Sequence, residues 1–114
     1  MIALKRVYER PAAADGTRIL VERLWPRGLD KAHAEVDEWL KEIAPSTALR
    51  QWFAHDPAKW AEFQTRYRAE LAQKPELLEQ LRQKAKSRKI TLVFAARDEL
   101  HNSALVLKQV LEKV

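Results

Sequence analysis

Apolar and polar positions follow two different rhythms along this 114-residue chain. Arg18-Ile19-Leu20-Val21-Glu22-Arg23-Leu24-Trp25 has a β-branched, apolar heart, and Ile90-Thr91-Leu92-Val93-Phe94-Ala95 is apolar at both alternating sets of positions. Such runs predict inner strands of a parallel sheet, covered on both sides. Ile2–Tyr8 alternates less cleanly and carries Lys5 and Arg6, which suits an edge strand. Between it and the next strand, Pro11 and Asp15-Gly16 supply turn chemistry.

Everything from Trp25 to Ile90 reads as helix. Val36, Trp39, Leu40 and Ile43 recur at i, i+3, i+4 and i+7, a single apolar stripe that closes near Ala44-Pro45. Ser46 or Thr47 then caps a short helix carrying Leu49, Trp52 and Phe53. Asp56 caps the next helix with Pro57 at its first position, and Trp60, Phe63, Tyr67 and Leu71 are its expected buried face. Pro75 opens a fourth helix through Leu77, Leu78, Leu81 and Ala85. The last helix shows Leu100, Ala104, Leu107, Leu111 and Val114.

The order strand, strand, helical crossover, strand, helix predicts one α/β domain over residues 1–114. Its expected core is a small, mostly parallel three-stranded sheet with Rossmann-like layering. A multi-helix crossover joins strands two and three, and a helix ends the chain. Apolar residues at 46% and charged residues at 32% fit an ordinary globular domain of this size. No apolar run approaches the roughly 20 residues of a membrane span, and Met1-Ile2-Ala3-Leu4-Lys5 has no signal-peptide character, so no membrane partner and a cytoplasmic location are expected. Cysteine is absent, which excludes disulfides, thiolate metal sites and a thiol nucleophile.

A net charge of +5 fits a nucleic acid, an anionic lipid or a phosphorylated metabolite as partner. The charges are dispersed, however, and the basic cluster Lys84-Ala85-Lys86-Ser87-Arg88-Lys89 falls where a helix ends and its dipole favours cations.

The candidate chemistry concentrates in Ala95-Ala96-Arg97-Asp98-Glu99-Leu100-His101-Asn102, between an apolar strand and an apolar-periodic helix. In a parallel sheet this segment shares a rim with the one that follows the second strand. Arg23, Trp25 and Arg27 on one side and Arg97 on the other are therefore the expected ligand-binding set. Guanidinium forks at a helix start suit a phosphate or carboxylate. His101 is a candidate acid or base, Asp98 its orienting carboxylate, and Asn102 a third catalytic candidate. His55 and Asp56 join the binding set if the end of the crossover folds over the rim. The quieter readings are a helix cap for Asp98 and Asp56, a turn for Pro26-Arg27-Gly28, and a core position for Trp25.

Several chemistries are set aside. The glycines, Gly16 and Gly28, form no phosphate loop; His33, His55 and His101 are too scattered for a metal site; no serine sits in a nucleophile-elbow pattern. No cofactor is assigned by the sequence.

Val21-Glu22-Arg23-Leu24-Trp25-Pro26-Arg27-Gly28, Ala44-Pro45-Ser46-Thr47 with Leu49-Arg50 and Trp52-Phe53, His55-Asp56-Pro57 with Trp60, Phe63, Arg66 and Tyr67, and Ala95-Ala96-Arg97-Asp98 with His101-Asn102 together resemble the YeaO-like proteins. These are small bacterial proteins of a domain-of-unknown-function family, and the resemblance spans nearly the whole chain. It implies a compact α/β fold with a small parallel sheet, and no established activity. Two departures stand out. Glu22 occupies a position where the family usually has Asp, and Asn102 one where more distant relatives carry Cys. Asn102 can position or stabilise but does not readily attack.

The expected function is that of a small enzyme, or a relative of one, binding an anionic phosphate- or nucleotide-like ligand at this rim, with hydrolase or transferase chemistry. The competing reading is a nucleic-acid module whose arginines contact phosphates and whose Trp25 stacks on a base.

Overall fold

In a computed structural model, which describes residues 1–113, the sheet has four strands, all parallel, in the order β1-β4-β2-β3. They are β1 (Ile2–Arg6), β2 (Thr17–Leu20), β3 (Glu38–Trp39) and β4 (Ile90–Phe94). β1 is an edge strand, as its charges suggest, and the largely apolar β4 lies between β1 and β2 with all five residues buried. The helices are α1 (Lys31–Ala34), α2 (Thr47–Phe53), α3 (Trp60–Ala72), α4 (Pro75–Ser87) and α5 (Ser103–Glu112). Among the described residues no helix is long and apolar enough to cross a membrane.

The fourth strand is where the periodicity misleads. Val36, Trp39, Leu40 and Ile43 keep helical spacing, yet the chain forms a two-residue strand and a 3-10 turn over Lys41–Ile43. The four side chains serve opposite faces of the sheet. Val36 and Trp39 pack with Leu20, Val93 and Ala34, whereas Leu40 and Ile43 join the main core. A helix would have placed all four on one side. The strand is pinned by Asp37 N–H to Arg18 O and Leu40 N–H to Leu20 O, both at 2.9 Å, and by the Asp37 carboxylate on Arg18 N–H.

The second strand also stops earlier than its composition suggests. Val21 N–H still reaches Val93 O at 3.2 Å, but β4 ends at Phe94 and β3 at Trp39, so nothing remains for residues 22–25 to pair with. The last helix begins at Ser103, leaving Leu100 exposed ahead of it; Val114, the expected end of its stripe, lies outside the described residues.

Layering is unequal. One face of the sheet is covered by α2 to α5, whose Leu49, Phe53, Phe63, Tyr67, Leu71, Leu81 and Leu107 meet Ile19, Ile90, Leu92 and Phe94. The other carries only a small cluster under α1, Trp25 and Trp39. Polar bonding supplements that thin side. Arg18, 3% exposed, donates to Asp15 Oδ2 (2.7 Å), Ala34 O (2.9 Å) and Glu35 O (3.0 Å), and Lys5 reaches both Asp15 oxygens at 3.2 Å. Burial alone would raise the Asp15 carboxyl, but the Ala12 N–H and the two cations outweigh it and hold its pKa below the ordinary value.

The crossover helices start where their caps predict. Ser46 Oγ accepts Leu49 N–H at 3.1 Å to open α2. Asp56 Oδ1 accepts Ala58 N–H at 3.0 Å over a 3-10 turn, Pro57–Lys59, that runs into α3. Phe63, Tyr67 and Leu71 are buried as expected, while Trp60 is only partly so.

Candidate functional site

The ends of β2 and β4 are adjacent, so the segments after Leu20 and Phe94 share one rim. Glu22 stands in it. Its Oε2 accepts Ala95 N–H at 3.1 Å, replacing the ladder bond that β2 no longer offers. Burial raises the pKa of this carboxyl despite the opposing Ala95 N–H and the positive charges of His55 and Arg50. Both side chains act on Glu22 electrostatically. Even so, no ion pair of 4.0 Å or less joins either of them to it among the described residues.

Arg50 is the fourth residue of a short helix whose Leu49 and Phe53 are buried in the core. Its Nε is buried and has no hydrogen-bond partner. An unpaired buried donor of this kind costs about 1–3 kcal/mol, more when charged. His55 arrives by an unusual route: Ala54 and His55 both have left-handed backbone, φ 48° and 57°. Neither is glycine, and each such residue costs roughly 1–2 kcal/mol. The turn carries the exposed His55 ring back beside Phe53, 6.1 Å between centroids. Asp56 only caps the following turn.

On the other side of the rim Asp98 organises the loop before α5. Its Oδ1 accepts the N–H groups of Leu100 (2.9 Å) and His101 (3.1 Å), and its Oδ2 lies 2.8 Å from His101 Nδ1. The bond to His101 and the Leu100 N–H hold the Asp98 carboxyl below its ordinary pKa. The His101 ring stands edge-on to Trp60, with centroids 5.2 Å apart and planes at 86°. Trp60 in turn packs on Phe53 and Phe63, so an aromatic row connects the two histidines.

The remaining sequence candidates are placed differently. Arg23 donates through Nε and a terminal nitrogen to the carbonyls of Pro45 and Ala44, both at 3.1 Å, and so fastens the β2 exit to the start of the crossover. Trp25 gives its N–H to Leu29 O at 2.6 Å and meets Trp39 edge-to-face, which makes it part of the thin-side core. Arg27 and Arg97 are exposed, and Tyr8 Oη donates to the Arg27 carbonyl at 2.8 Å. Of the three guanidinium groups expected to bind an anion, that of Arg23 is thus engaged with backbone, and those of Arg27 and Arg97 are exposed. Asn102, 3% exposed, is the cap of α5, accepting Leu105 N–H at 2.9 Å and donating to Asp98 O at 3.0 Å.

Arg50 is the residue that pattern reading passes over, since an arginine in a short amphipathic helix looks like a solvated position. The available signal was its place between buried Leu49 and Phe53. Among the described residues no three His, Asp or Glu side chains are arranged as metal ligands. A shallow depression of about 700 Å³ lies at the opposite end of the sheet, between Met1, Ile2, Ala85 and Leu111. Its Arg82 is already bonded to the carbonyls of Val110 and Leu111, which leaves little chemistry there.

Over residues 1–114 the sequence matches the family described as the inactive DUF488-N3 subclade, DUF488-N3i. It is 46% identical over 106 residues to the uncharacterized protein YeaO of Escherichia coli (strain K12), covering 93% of this chain and 92% of that one. It is 40% identical over 110 residues, 96% of this chain and 92% of the relative, to the uncharacterized protein Rv3073c of Mycobacterium tuberculosis (strain ATCC 25618 / H37Rv). The uncharacterized protein Mb3100c of Mycobacterium bovis matches to the same extent. No solved structure matches the chain. With its whole length matched and its YeaO-like motifs in place, this chain belongs to the inactive DUF488-N3 subclade.

Proposed function

We propose that this protein binds a small ligand bearing a phosphate or carboxylate at the rim between Glu22, Arg50, His55 and the Asp98–His101 pair, and that it does so without turning the ligand over. The carrying observation is the buried Nε of Arg50, which has no hydrogen-bond partner, on a residue whose charge acts on Glu22 just after β2. A guanidinium so placed favours a two-point contact with an anion. The chain has no cysteine, and both ends of the Asn102 amide are used in holding the start of α5. Asp98 and His101 form a carboxylate–imidazole pair of the kind hydrolases use, and among the described residues no side-chain hydroxyl is hydrogen-bonded to it. The family description as inactive agrees with this reading.

The nucleic-acid reading has the exposed Arg27 and Arg97 and the +5 charge in its favour. Against it, the Trp25 indole is engaged with Leu29 and Trp39 and offers no platform for a base.

Titration with inorganic phosphate, followed by amide NMR and calorimetry, tests the proposal. Shifts should cluster at Ala95, His55 and His101, and Arg50→Met should abolish them while Arg97→Ala leaves them in place. No response at millimolar phosphate or any small carboxylate, or a response insensitive to Arg50, overturns it.

A further inference from the structure

The chain leaves β1 through a tight turn, Arg6-Val7-Tyr8-Glu9, that is closed twice: Glu9 N–H donates to Arg6 O and Arg6 N–H to Glu9 Oε2, both at 3.0 Å. Val7 is buried and its N–H reaches Phe94 O at 2.7 Å, so the turn is fixed to the end of β4. Tyr8 is the contrast: 43% exposed, it belongs to neither apolar cluster. The Arg6 guanidinium lies over its ring, 5.2 Å from the centroid, and its Oη donates to Arg27 O at 2.8 Å. A lone exposed aromatic is ordinary. One held at its backbone, its hydroxyl and its ring loses little freedom when something stacks on it.

The surroundings of the ring are cationic. Arg6 also donates to Ala96 O (2.9 Å) and Ala95 O (3.3 Å), which ties the β1 exit to the segment carrying Arg97, as Tyr8 Oη ties it to the segment carrying Arg27. Arg10 follows two residues after Tyr8. Arg10, Arg27 and Arg97 are exposed, and among the described residues none of them is in an ion pair of 4.0 Å or less. The acids beside them are engaged: Glu9 with Arg6 N–H, and Asp98 with Leu100 and His101.

We propose that this surface binds single-stranded nucleic acid, with an unpaired base stacked on Tyr8 and the flanking phosphates on Arg10, Arg27 and Arg97. A duplex conceals the faces of its bases, so the ring selects the single strand. Trp25, engaged with Leu29 and Trp39, does not supply this platform; Tyr8 does. The surface includes neither Arg50 nor His101, and it stands or falls independently of the small-ligand site.

Fluorescence anisotropy with a labelled oligothymidylate and an abasic strand of the same number of phosphates tests the proposal at one fixed salt concentration. The wild-type protein should bind the strand with bases about fivefold tighter or more, as stacking of one base implies. Tyr8→Ala should erase that preference and leave the abasic strand and a duplex bound as before, whereas Tyr8→Phe, which keeps the ring, should retain it. Arg50→Met should also retain it. Equal affinities in the wild type, a preference that survives Tyr8→Ala, or an equal loss for all three probes in that variant overturns the proposal. A preference abolished by Arg50→Met overturns it as well, since the base would then be seated elsewhere. The wild-type comparison needs no variant to fold.

Discussion

Asn102 Nδ2 donates to the main-chain carbonyl of Asp98 at 3.0 Å, so the residue that caps α5 also fixes the loop that aims His101. Asn102→Ala removes the cap and strands a buried carbonyl. Unfolding in urea should show a loss of about 1–2 kcal/mol. Asn102→Asp keeps the acceptor for Leu105 N–H and should recover part of that loss. A midpoint unmoved by the alanine change would mean that α5 is held by Ala104 and Leu107 packing alone.

Gly16 and Gly28 both have positive φ, 66° and 75°, but their surroundings differ. A Cβ on Gly16 would come within 2.3 Å of Lys89 O, in the turn that delivers β2 beside β4, whereas nothing lies within 4 Å of one on Gly28. Gly28→Ala should cost about 1–2 kcal/mol from backbone strain. Gly16→Ala should cost clearly more, because the Thr17 N–H to Lys89 O bond must also give way. Equal melting temperatures for the two variants would contradict the packing seen around Gly16.

Core truncation separates two aromatics that the sequence presents as equivalent. Phe63, 2% exposed and stacked on Phe53 at 4.3 Å, should lose about 3–5 kcal/mol as alanine. Trp60 is only partly buried and should lose less, despite its larger side chain. Its substitution should instead disturb the NMR signals of the His101 ring that stands against it. If Trp60→Ala proves the more destabilising, the helix stripe is seated deeper than described.

The contrast shows what sequence periodicity conveys. Caps at Ser46 and Asp56, prolines at 57 and 75 and the largely apolar run Ile90–Phe94 act locally, and each element they imply is present. The stripe Val36–Ile43 has the same spacing but answers to two faces of a distant sheet, a relationship between residues 18–20 and 37–40 that no local window contains. The rim behaves likewise. Asp98 and His101 are three apart and are legible as a pair, whereas the influence of Arg50 on Glu22 arises only through the fold, and the Arg23 guanidinium is taken by the Ala44 and Pro45 carbonyls, which no local window places against it.

Glu22 also makes a prediction about pH. Burial raises its folded-state pKa above the ordinary 4.5, so between that value and the raised one the folded protein binds more protons than the unfolded chain. Stability from this group is therefore greatest below pH 4.5 and declines as pH rises through the folded pKa. Glu22→Gln should remove that decline, raising the melting temperature at pH 7 relative to wild type and narrowing the difference toward pH 4.5. A variant less stable than wild type at pH 7, with the same pH profile, would show that the carboxylate is better stabilised in its ionised form than its burial indicates.

Salt separates a ligand pocket from a phosphate-tracking surface. Exposed Arg27 and Arg97, with a net charge of +5, must give the protein some affinity for DNA and RNA. That affinity should fall linearly with log salt, at a slope of about −0.7 to −0.9 per phosphate contacted, and Arg27→Ala or Arg97→Ala should each lessen the slope by up to about one. Arg50 should behave oppositely: its guanidinium is partly buried, so Arg50→Met should leave the nucleic-acid slope unchanged while removing phosphate-ion binding. Fluorescence anisotropy with a labelled duplex and a labelled single strand checks both. Tight binding of either that persists at physiological salt and depends on Arg50 would place nucleic acid in the rim itself and replace the small ligand with a polymer.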